Sequence, residues 1–349
     1  MMTTKPDRGA EARGTTAQRA RARLVGALGA VLAHLPQTVV GGLCDAVGEL
    51  WYRAAPDRAA QARGNLAHVT AWLAANERGG HRARAAAADP AALERLVRAA
   101  FRHNVRTYAE TLRGAASARD LRRSLLIEIP APVDAAFAAP GPAIYASLHF
   151  GSMACGATVL TDRSPVPITA PMETIGDPEL QRLLKRAREA GGARIVSLEA
   201  ARRDLRDALV RGEGVGLVAD RDIIGGGLPV TLFGATTTLP MGPAYLALEH
   251  GAPLHVAAVW RARGESYRGG LITVPHPPAD LPRRARILAL LQAEAGAFEA
   301  FIALAPEQWW TVFFPIWESV GPRLGGTRGT KPAAGSPTAA EPAAGESSA

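Results

Sequence analysis

The chain has 349 residues, enough for one large α/β domain or two smaller ones. Hydrophobic residues make up 48% of it, which supports a sizeable core but excludes a polytopic membrane protein. The net charge of +8 is unevenly distributed, since residues 1–23 hold six basic and two acidic residues. No nucleic-acid recognition motif or series of aromatic residues accompanies this charge, so we expect no nucleic-acid partner.

Both ends of the chain are polar, and apolar sequence begins near residue 21. We predict that residues 1–20 and the Gly/Ala/Pro/Ser/Thr-rich tail over 322–349 are disordered, because neither can bury enough apolar surface to offset the entropy lost on ordering. A single domain is then expected over residues 21–321. Acidic residues make the N-terminus a poor signal peptide, and Cys44 and Cys155 are typical of buried thiols in a reducing compartment.

Residues 21–55 have apolar side chains at helical spacing and are predicted to form two helices separated at Pro36. Polar residues such as His34 and Asp45 interrupt the run, so neither helix is a clean transmembrane span. Three interpretations stay open: a pair of helices packed on the core, an amphipathic element lying in the bilayer interface, or a true membrane span. The basic leader favours an anionic membrane surface as a partner.

The remaining sequence is predicted to be helical over residues 57–114, with a break at 77–88, and then to alternate between strands and helices. The apolar runs assigned to strands are 143–148, 193–198, 214–219 and 254–262, with shorter ones at 229–233 and 267–274. The helices assigned between and after them are 178–190, 199–211, 240–250 and 281–303. This alternation predicts an α/β fold with an open, mostly parallel central sheet flanked by helices, its core covering 143–318.

One of these predicted strands ends in a histidine. The strand from Ala143 runs into Leu148-His149-Phe150-Gly151, and Ser152 can cap a helix over roughly 153–161. Ligands of open α/β sheets bind beyond the carboxyl ends of the strands, where a histidine can accept a proton from a substrate hydroxyl at neutral pH. The alternative is a histidine that only satisfies a backbone group, and the pattern alone leaves both open.

A second strand ends in the charged run Val218-Ala219-Asp220-Arg221-Asp222. Asp220 suits either a carboxylate that orients His149 or one that fixes a nearby arginine. The glycines at 225–227 lack the Lys-Ser/Thr of a P-loop, so they predict a flexible turn. Arg186 and Arg188, on a helix upstream, would hold a phosphate if they face the same crevice and would have no role on a solvated face.

Several short motifs follow one another between residues 35 and 318. They are Arg63-Gly-Asn65-Leu66, Phe101-Arg-His-Asn-Val-Arg-Thr-Tyr108-Ala-Glu110, Leu148-His149-Phe150-Gly151-Ser152, Pro171-Met-Glu173, Lys185-Arg-Ala-Arg188, Ala219-Asp220-Arg221-Asp222, Val230-Thr-Leu-Phe233-Gly234, Met241-Gly242-Pro243-Ala244, and Gln308-Trp309-Trp310 through Pro315-Ile-Trp317. In this order they resemble the lysophospholipid acyltransferase superfamily. The resemblance is to the branch of bacterial lipid A lauroyl and myristoyl acyltransferases and actinobacterial phosphatidylinositol mannoside acyltransferases, and the Asp-Arg-Asp and Gly-Pro-Ala versions favour the mannoside enzymes.

The resemblance implies transfer of a fatty acyl group from acyl-CoA, or from an acyl carrier protein, to a hydroxyl of a membrane glycolipid. His149 would deprotonate that hydroxyl, Arg188 and Arg221 would bind phosphates, and backbone N–H groups at the turn of Gly151 and Ser152 would stabilise the oxyanion. No metal or cofactor is implied beyond acyl-CoA as a co-substrate. The protein would lie peripherally on the cytoplasmic face of the cell membrane.

One position departs from the family pattern. Four residues normally separate the histidine from an Asp or Glu that orients it, but Ala154 stands there in this chain. Glu173 and Asp220, both at strand ends that match the family, are the candidates to replace it. Without a substitute the imidazole would lose several kcal/mol of transition-state stabilisation.

Two other functions stay open at this stage. The first is a catalytically reduced homologue that binds lipid or acyl-CoA as a partner protein, and a carboxylate within hydrogen-bond reach of His149 would argue against it. The second is a hydrolase that uses Ser147 or Ser152, although the chain has no Gly-x-Ser-x-Gly elbow.

Overall fold

The computed structural model describes residues 14–127, 130–223, 225–263 and 266–317. The predicted tail over 322–349 and most of the predicted disordered N-terminus lie outside these residues. The described part begins with helix α1 (Thr16–His34), which starts inside the stretch predicted to be disordered. Thr15 and Gln18 form a capping box that satisfies the first N–H groups of this helix.

Four further helices complete the N-terminal layer: α2 (Gln37–Ala54), α3 (Pro56–Ala75), α4 (His81–Ala88) and α5 (Pro90–Arg113). Pro36 separates α1 from α2, as predicted, because its ring removes a helical hydrogen bond. The predicted break at 77–88 contains the short helix α4. Helix α5 packs against α1, α2, α3 and α4, so it is the central helix of this layer.

The sheet has seven strands in the order β1-β9-β8-β2-β5-β3-β4. The strands are β1 (Leu125–Ile127), β2 (Ala143–Ser147), β3 (Ile168–Met172), β4 (Arg194–Ser197), β5 (Gly214–Val218), β8 (Leu254–Arg261) and β9 (Tyr267–Val274). All neighbours are parallel except β8 and β9, which confirms the predicted open, mostly parallel sheet. A separate antiparallel hairpin is formed by β6 (Leu228–Leu232) and β7 (Ala235–Leu239).

Helices cover both faces of the sheet: α6 (Ala115–Ser124), α7 (Ala131–Phe137), α8 (Met153–Arg163), α9 (Pro178–Glu189), α10 (Leu198–Val210), α11 (Gly242–His250) and α12 (Arg283–Leu304). Strands β1 and β7 and helices α6 and α7 were not predicted, and β3 was expected only from the family resemblance, which places Glu173 at a strand end. Each has only three to ten residues, and β3 contains a proline, so periodicity is a weak signal there.

Helix α12 is the one described helix that is long and apolar enough to cross a bilayer. More than half of its most apolar window is buried inside the protein, where Leu290, Phe298 and Ile302 join the main hydrophobic core. This burial is typical of a core helix, which passes the same test of length and composition.

Candidate functional site

The candidate site begins at the turn that follows β2. Gly151 has a φ of +60°, and a Cβ placed there would lie 2.1 Å from the carbonyl oxygen of Val259 on β8. Glycine is therefore required, because any side chain would collide with this backbone. The turn lets the chain leave the sheet directly after His149, and Ser152 then begins α8 by accepting a hydrogen bond from the Cys155 N–H at 3.4 Å.

A buried carboxylate holds the imidazole of His149. Asp220 Oδ1 lies 2.7 Å from His149 Nδ1 and accepts the His149 backbone N–H at 3.1 Å. The other oxygen, Oδ2, accepts from Trp309 Nε1 and from Thr311 Oγ1, each at 2.7 Å. Burial alone would raise the pKa of Asp220, but the charge of His149 and the hydrogen bonds from His149, Thr311 and Trp309 outweigh it and lower that pKa. Asp220 is thus ionised and fully hydrogen-bonded.

Of the two carboxylates that the sequence left open, Asp220 is the one that contacts His149. Glu173 follows β3, is exposed, and has Arg188 and Tyr108 as its electrostatic neighbours. Partial desolvation lowers the pKa of Arg188, although the side chain is solvent-accessible, while Glu173 and Tyr108 oppose this shift. Glu173 therefore belongs to the edge of the cleft rather than to the imidazole.

The C-terminal Trp309-Trp310 pair encloses the histidine. The backbone N–H of Trp310 donates to the His149 carbonyl at 3.0 Å. The Trp310 ring packs edge to face against the imidazole, with centroids 4.5 Å apart. Tyr108 in turn packs against Trp310 at 6.1 Å and is largely exposed. Both tryptophans match the family pattern in the sequence. No sequence signal predicted that Trp309 would contact Asp220 or that Trp310 would contact His149.

The structure corrects the expectation that the Gly151 turn supplies oxyanion donors. The Gly151 N–H already donates to the Gln308 carbonyl at 3.0 Å, and the Ser152 N–H donates to the Val259 carbonyl at 2.8 Å. These groups hold the turn and are not free to bind a substrate oxygen. Among the residues that the structure describes, Trp310 Nε1 is a buried donor beside His149 without a hydrogen-bond partner.

A buried ion pair between Arg261 and Glu110 stabilises the Gly151 turn, and the sequence analysis did not predict it. Arg261 Nε and Nη2 contact the Glu110 carboxylate at 2.7 and 2.5 Å, and Arg261 Nη1 donates to the Gly151 carbonyl at 3.2 Å. Thr107 Oγ1 donates to the same carbonyl at 2.9 Å, and Tyr267 donates to Glu110 at 2.9 Å. Because each charge has its partner and further hydrogen bonds, the network can fix the turn in a dry interior.

An apolar cavity of about 250 Å³ lies under α8, on the face of the sheet that carries Ser147 and Tyr145. Its upper wall, beside the histidine turn, includes Tyr108, Arg188 and Trp310. Farther from the turn, at the middle of β2, the wall includes Tyr145 and the Phe137 ring that packs on it edge to face at 5.4 Å. The cavity therefore extends from the histidine turn to at least the middle of β2.

The position that departs from the family pattern, Ala154, lies in the wall of this cavity. A carboxylate at this position would face mostly apolar side chains, whereas Asp220 approaches His149 from the neighbouring strand β5. The charge that orients the imidazole therefore comes from a different element, and the cavity wall stays apolar.

The predicted phosphate ligand Arg221 does not line the cavity, unlike Arg188. Its guanidinium stacks on the Phe314 ring with 4.0 Å between Cζ and the ring centroid. Although the Tyr108 side chain is largely exposed, partial desolvation raises its pKa, and Arg188 and Arg221 are both close enough to oppose this rise. The two predicted arginines thus both lie near Tyr108, which lines the cavity.

The match to known proteins covers most of the chain. The model of the bacterial lipid A biosynthesis acyltransferase family matches residues 13–318. A phosphatidylinositol mannoside acyltransferase of Mycolicibacterium smegmatis is 31% identical over 147 residues, which is 41% of this chain and 46% of that protein. A phosphatidylinositol mannoside acyltransferase of Mycobacterium tuberculosis is 30% identical over 182 residues, 51% of this chain and 55% of that protein. The chain spans about half the length of the curated relatives it matches.

Proposed function

The chain belongs to the bacterial lipid A biosynthesis acyltransferase family, and from this we propose that it transfers a fatty acyl group from acyl-CoA to a hydroxyl of a phosphatidylinositol mannoside or a closely related membrane glycolipid. The observation that carries the proposal is the His149–Asp220 pair at 2.7 Å, placed next to an apolar cavity that suits an acyl chain. An acyl carrier protein is the alternative donor of the same thioester. The names of both relatives support the mannoside acceptor.

His149 acts as the general base. Because its Nδ1–H is donated to Asp220, Nε2 carries the free lone pair that can take a proton. The acceptor hydroxyl loses its proton to Nε2 while its oxygen attacks the thioester carbonyl carbon. The tetrahedral intermediate then collapses, the C–S bond breaks, and the thiolate takes the proton back from the imidazolium. Asp220 stabilises the imidazolium between these two steps.

The short contact to Asp220 favours an enzyme over a homologue that only binds lipid. A binding protein has no need to hold an imidazole with a desolvated carboxylate, which costs free energy to bury. Among the described donors, the unpartnered Trp310 Nε1–H is the candidate for the developing oxyanion.

The surface of α1 and α2 supports attachment to the membrane. The two helices pack on α5 with one face, but seven large apolar side chains on them are 47% to 72% exposed: Leu24, Leu28, Val31, Val39, Leu43, Val47 and Leu50. Arg19, Arg21 and Arg23 are exposed on the first turns of α1. Such an apolar face with basic residues beside it fits the interface of an anionic bilayer. Helix α1 also packs against α9, which carries Arg188, so the bilayer would lie beside the cleft.

The test of the activity is transfer of label from palmitoyl-CoA to lipids of a membrane extract that contains phosphatidylinositol mannosides. We expect the wild-type protein to label one lipid class and His149→Ala to lose at least a thousandfold in rate. Undiminished transfer by His149→Ala would reject the mechanism. Labelling of free fatty acid alone would point to a hydrolase instead.

Attachment to the membrane is tested separately by sedimentation with vesicles. The wild-type protein should sediment with vesicles that contain anionic phospholipid and much less with neutral ones. Leu28→Glu, placed in the centre of the exposed apolar face, should abolish sedimentation, whereas Glu213→Gln, at the start of β5, should not. Equal sedimentation of all three proteins would reject this surface as the membrane contact.

A further inference from the structure

The aromatic ring of Phe314 gathers two arginines from distant parts of the chain. Arg221 stacks on the ring at 4.0 Å and Arg58, from α3, stacks on it at 5.1 Å, both measured from Cζ to the ring centroid. Arg58 is held in place by a hydrogen bond of 2.7 Å from Nη1 to the Phe313 carbonyl. Two guanidinium groups are therefore held on one aromatic ring.

Within the described part of the chain, neither of these two arginines forms an ion pair with a carboxylate. Neighbouring arginines of the same helical layer do: Arg63 pairs with Glu94 at 2.7 Å, and Arg82 pairs with Glu307 at 2.9 Å. Stacking on a ring occupies the flat face of a guanidinium but leaves its N–H edge free to donate. Two fixed cations without an acid between them make a positive site that suits a phosphate.

This arginine pair is connected to the catalytic carboxylate through Arg221 and through Phe314. Arg221 follows Asp220 in sequence, and the Phe314 N–H donates at 2.9 Å to the carbonyl of Thr311, whose hydroxyl donates to Asp220. Arg188, in contrast, lines the apolar cavity itself. Arg188 is therefore a cation in the wall of the cavity, whereas neither Arg58 nor Arg221 contributes to that wall.

We propose that Arg58 and Arg221, stacked on Phe314, form the subsite for the phosphate of the acceptor lipid, whereas Arg188 faces the thioester donor. The assignment rests on the proposed function, in which both substrates carry phosphate groups. A donor whose acyl chain fills the cavity has its thioester near the cavity wall that contains Arg188. The Arg58–Arg221 pair lies outside the cavity lining, and Arg221 directly follows Asp220 in the chain, so the pair can hold the phosphodiester of the acceptor.

The experiment measures initial rates of acyl transfer by Arg58→Ala and Arg221→Ala. The concentrations of a phosphatidylinositol mannoside acceptor and of palmitoyl-CoA are varied in turn. We expect the KM for the acceptor to rise about tenfold or more in each variant, because a charge-assisted hydrogen bond is lost, while the KM for palmitoyl-CoA changes less than twofold. Arg211→Ala is the matched control, since Arg211 is an exposed arginine paired with Glu213 at the start of β5. It should leave both KM values unchanged.

A phosphate-free acceptor, an alkyl mannoside, provides the second arm. With this acceptor the wild-type protein should show a KM as high as that of Arg58→Ala with the phosphorylated acceptor. The Arg58→Ala substitution should not raise the KM for the alkyl mannoside any further. The N-acetylcysteamine thioester of palmitate is a donor without phosphate. If the variants raise the KM for palmitoyl-CoA but not the KM for this thioester, the arginine pair binds donor phosphates and the assignment is overturned. Unchanged KM values in both variants would also overturn it.

A binding measurement separates this inference from the activity itself. Titration calorimetry with glycerophosphoinositol should give heat of binding with the wild-type protein and with Arg211→Ala, but none with Arg58→Ala. This result does not depend on turnover, so a wild-type protein that transfers no acyl group would reject the proposed function without removing the phosphate site. Equal binding by all three proteins would reject the site.

Discussion

Replacing Asp220 with asparagine tests the proposed mechanism at the point where the structure is most constrained. The carboxylate accepts four hydrogen bonds, two from His149 and one each from Trp309 and Thr311. Asparagine has one oxygen to accept with, and its amide nitrogen carries hydrogens. If the oxygen stays on His149, the amide faces the other two donors. The Thr311 hydroxyl can turn and accept, but the Trp309 indole can only donate.

The expected magnitudes follow from these contacts. One buried N–H left without an acceptor costs about 1–3 kcal/mol of stability. The loss in rate is larger, because the imidazolium formed during transfer loses its counter-charge and the control of its tautomer. Neutralising the corresponding aspartate of a serine protease lowers kcat roughly 10⁴-fold, about 5.5 kcal/mol in the transition state. We expect Asp220→Asn to lose between 10³- and 10⁴-fold in kcat, with little change in KM.

The assay is label transfer at saturating palmitoyl-CoA, with kcat and KM measured separately and with unfolding followed by circular dichroism. Glu173→Gln is the matched control, since it also neutralises a carboxylate at a strand end, but one that lies beside Arg188. We expect it to lose less than tenfold in kcat. The double variant His149→Ala/Asp220→Asn should be no slower than His149→Ala alone, because the two residues act as a unit.

Two outcomes would refute this reasoning. The first is an Asp220→Asn protein that is folded and keeps more than a tenth of the wild-type kcat. The second is a Glu173→Gln protein that loses as much as Asp220→Asn, since His149 would then depend on a carboxylate that it does not contact.

Three other predictions concern the aromatic wall, the cavity and the core. Trp310→Phe keeps the ring against His149 but removes the unpartnered N–H, so kcat should fall about 10- to 100-fold with an unchanged unfolding midpoint; an unchanged kcat would exclude this donor. Phe137→Ala should extend the longest efficiently used acyl-CoA by two or more carbons, because the ring lines the far end of the cavity, whereas an unaltered chain-length profile would place the acyl chain elsewhere. Burial without a hydrogen-bond partner raises the pKa of Glu294 well above its usual range, so this carboxyl opposes folding increasingly as pH rises above its unfolded pKa of about 4.3. The free energy of unfolding of Glu294→Gln, measured by urea unfolding, should therefore equal that of the wild type near pH 4. Above that pH it should exceed the wild-type value by up to about 1.4 kcal/mol more per pH unit, until the folded pKa is reached. A difference that does not change with pH would contradict the assignment.

The amino-acid sequence by itself determines the class of fold and the two strand ends that matter. Alternation of buried apolar runs with helical segments requires a layered α/β sheet, since each element must cover its apolar face. His149 and Asp220 each follow such a run directly, and carboxyl ends of parallel strands share one edge of the sheet. Gly151 was predicted as a turn, and its positive φ and the close approach of Val259 explain why only glycine fits.

Only the tertiary structure decides which groups meet at that edge, because strand order is not a local property of the chain. β5 lies next to β2, with Ser147 opposite Val218, so Asp220 reaches His149 across 71 residues of sequence. β3 lies on the far side of β5, which keeps Glu173 two strands away, roughly 10 Å in the plane of the sheet. The tertiary fold likewise pairs the Gly151 N–H with the Gln308 carbonyl and brings Arg58 and Arg221 to the ring of Phe314. No spacing in the sequence encodes these contacts.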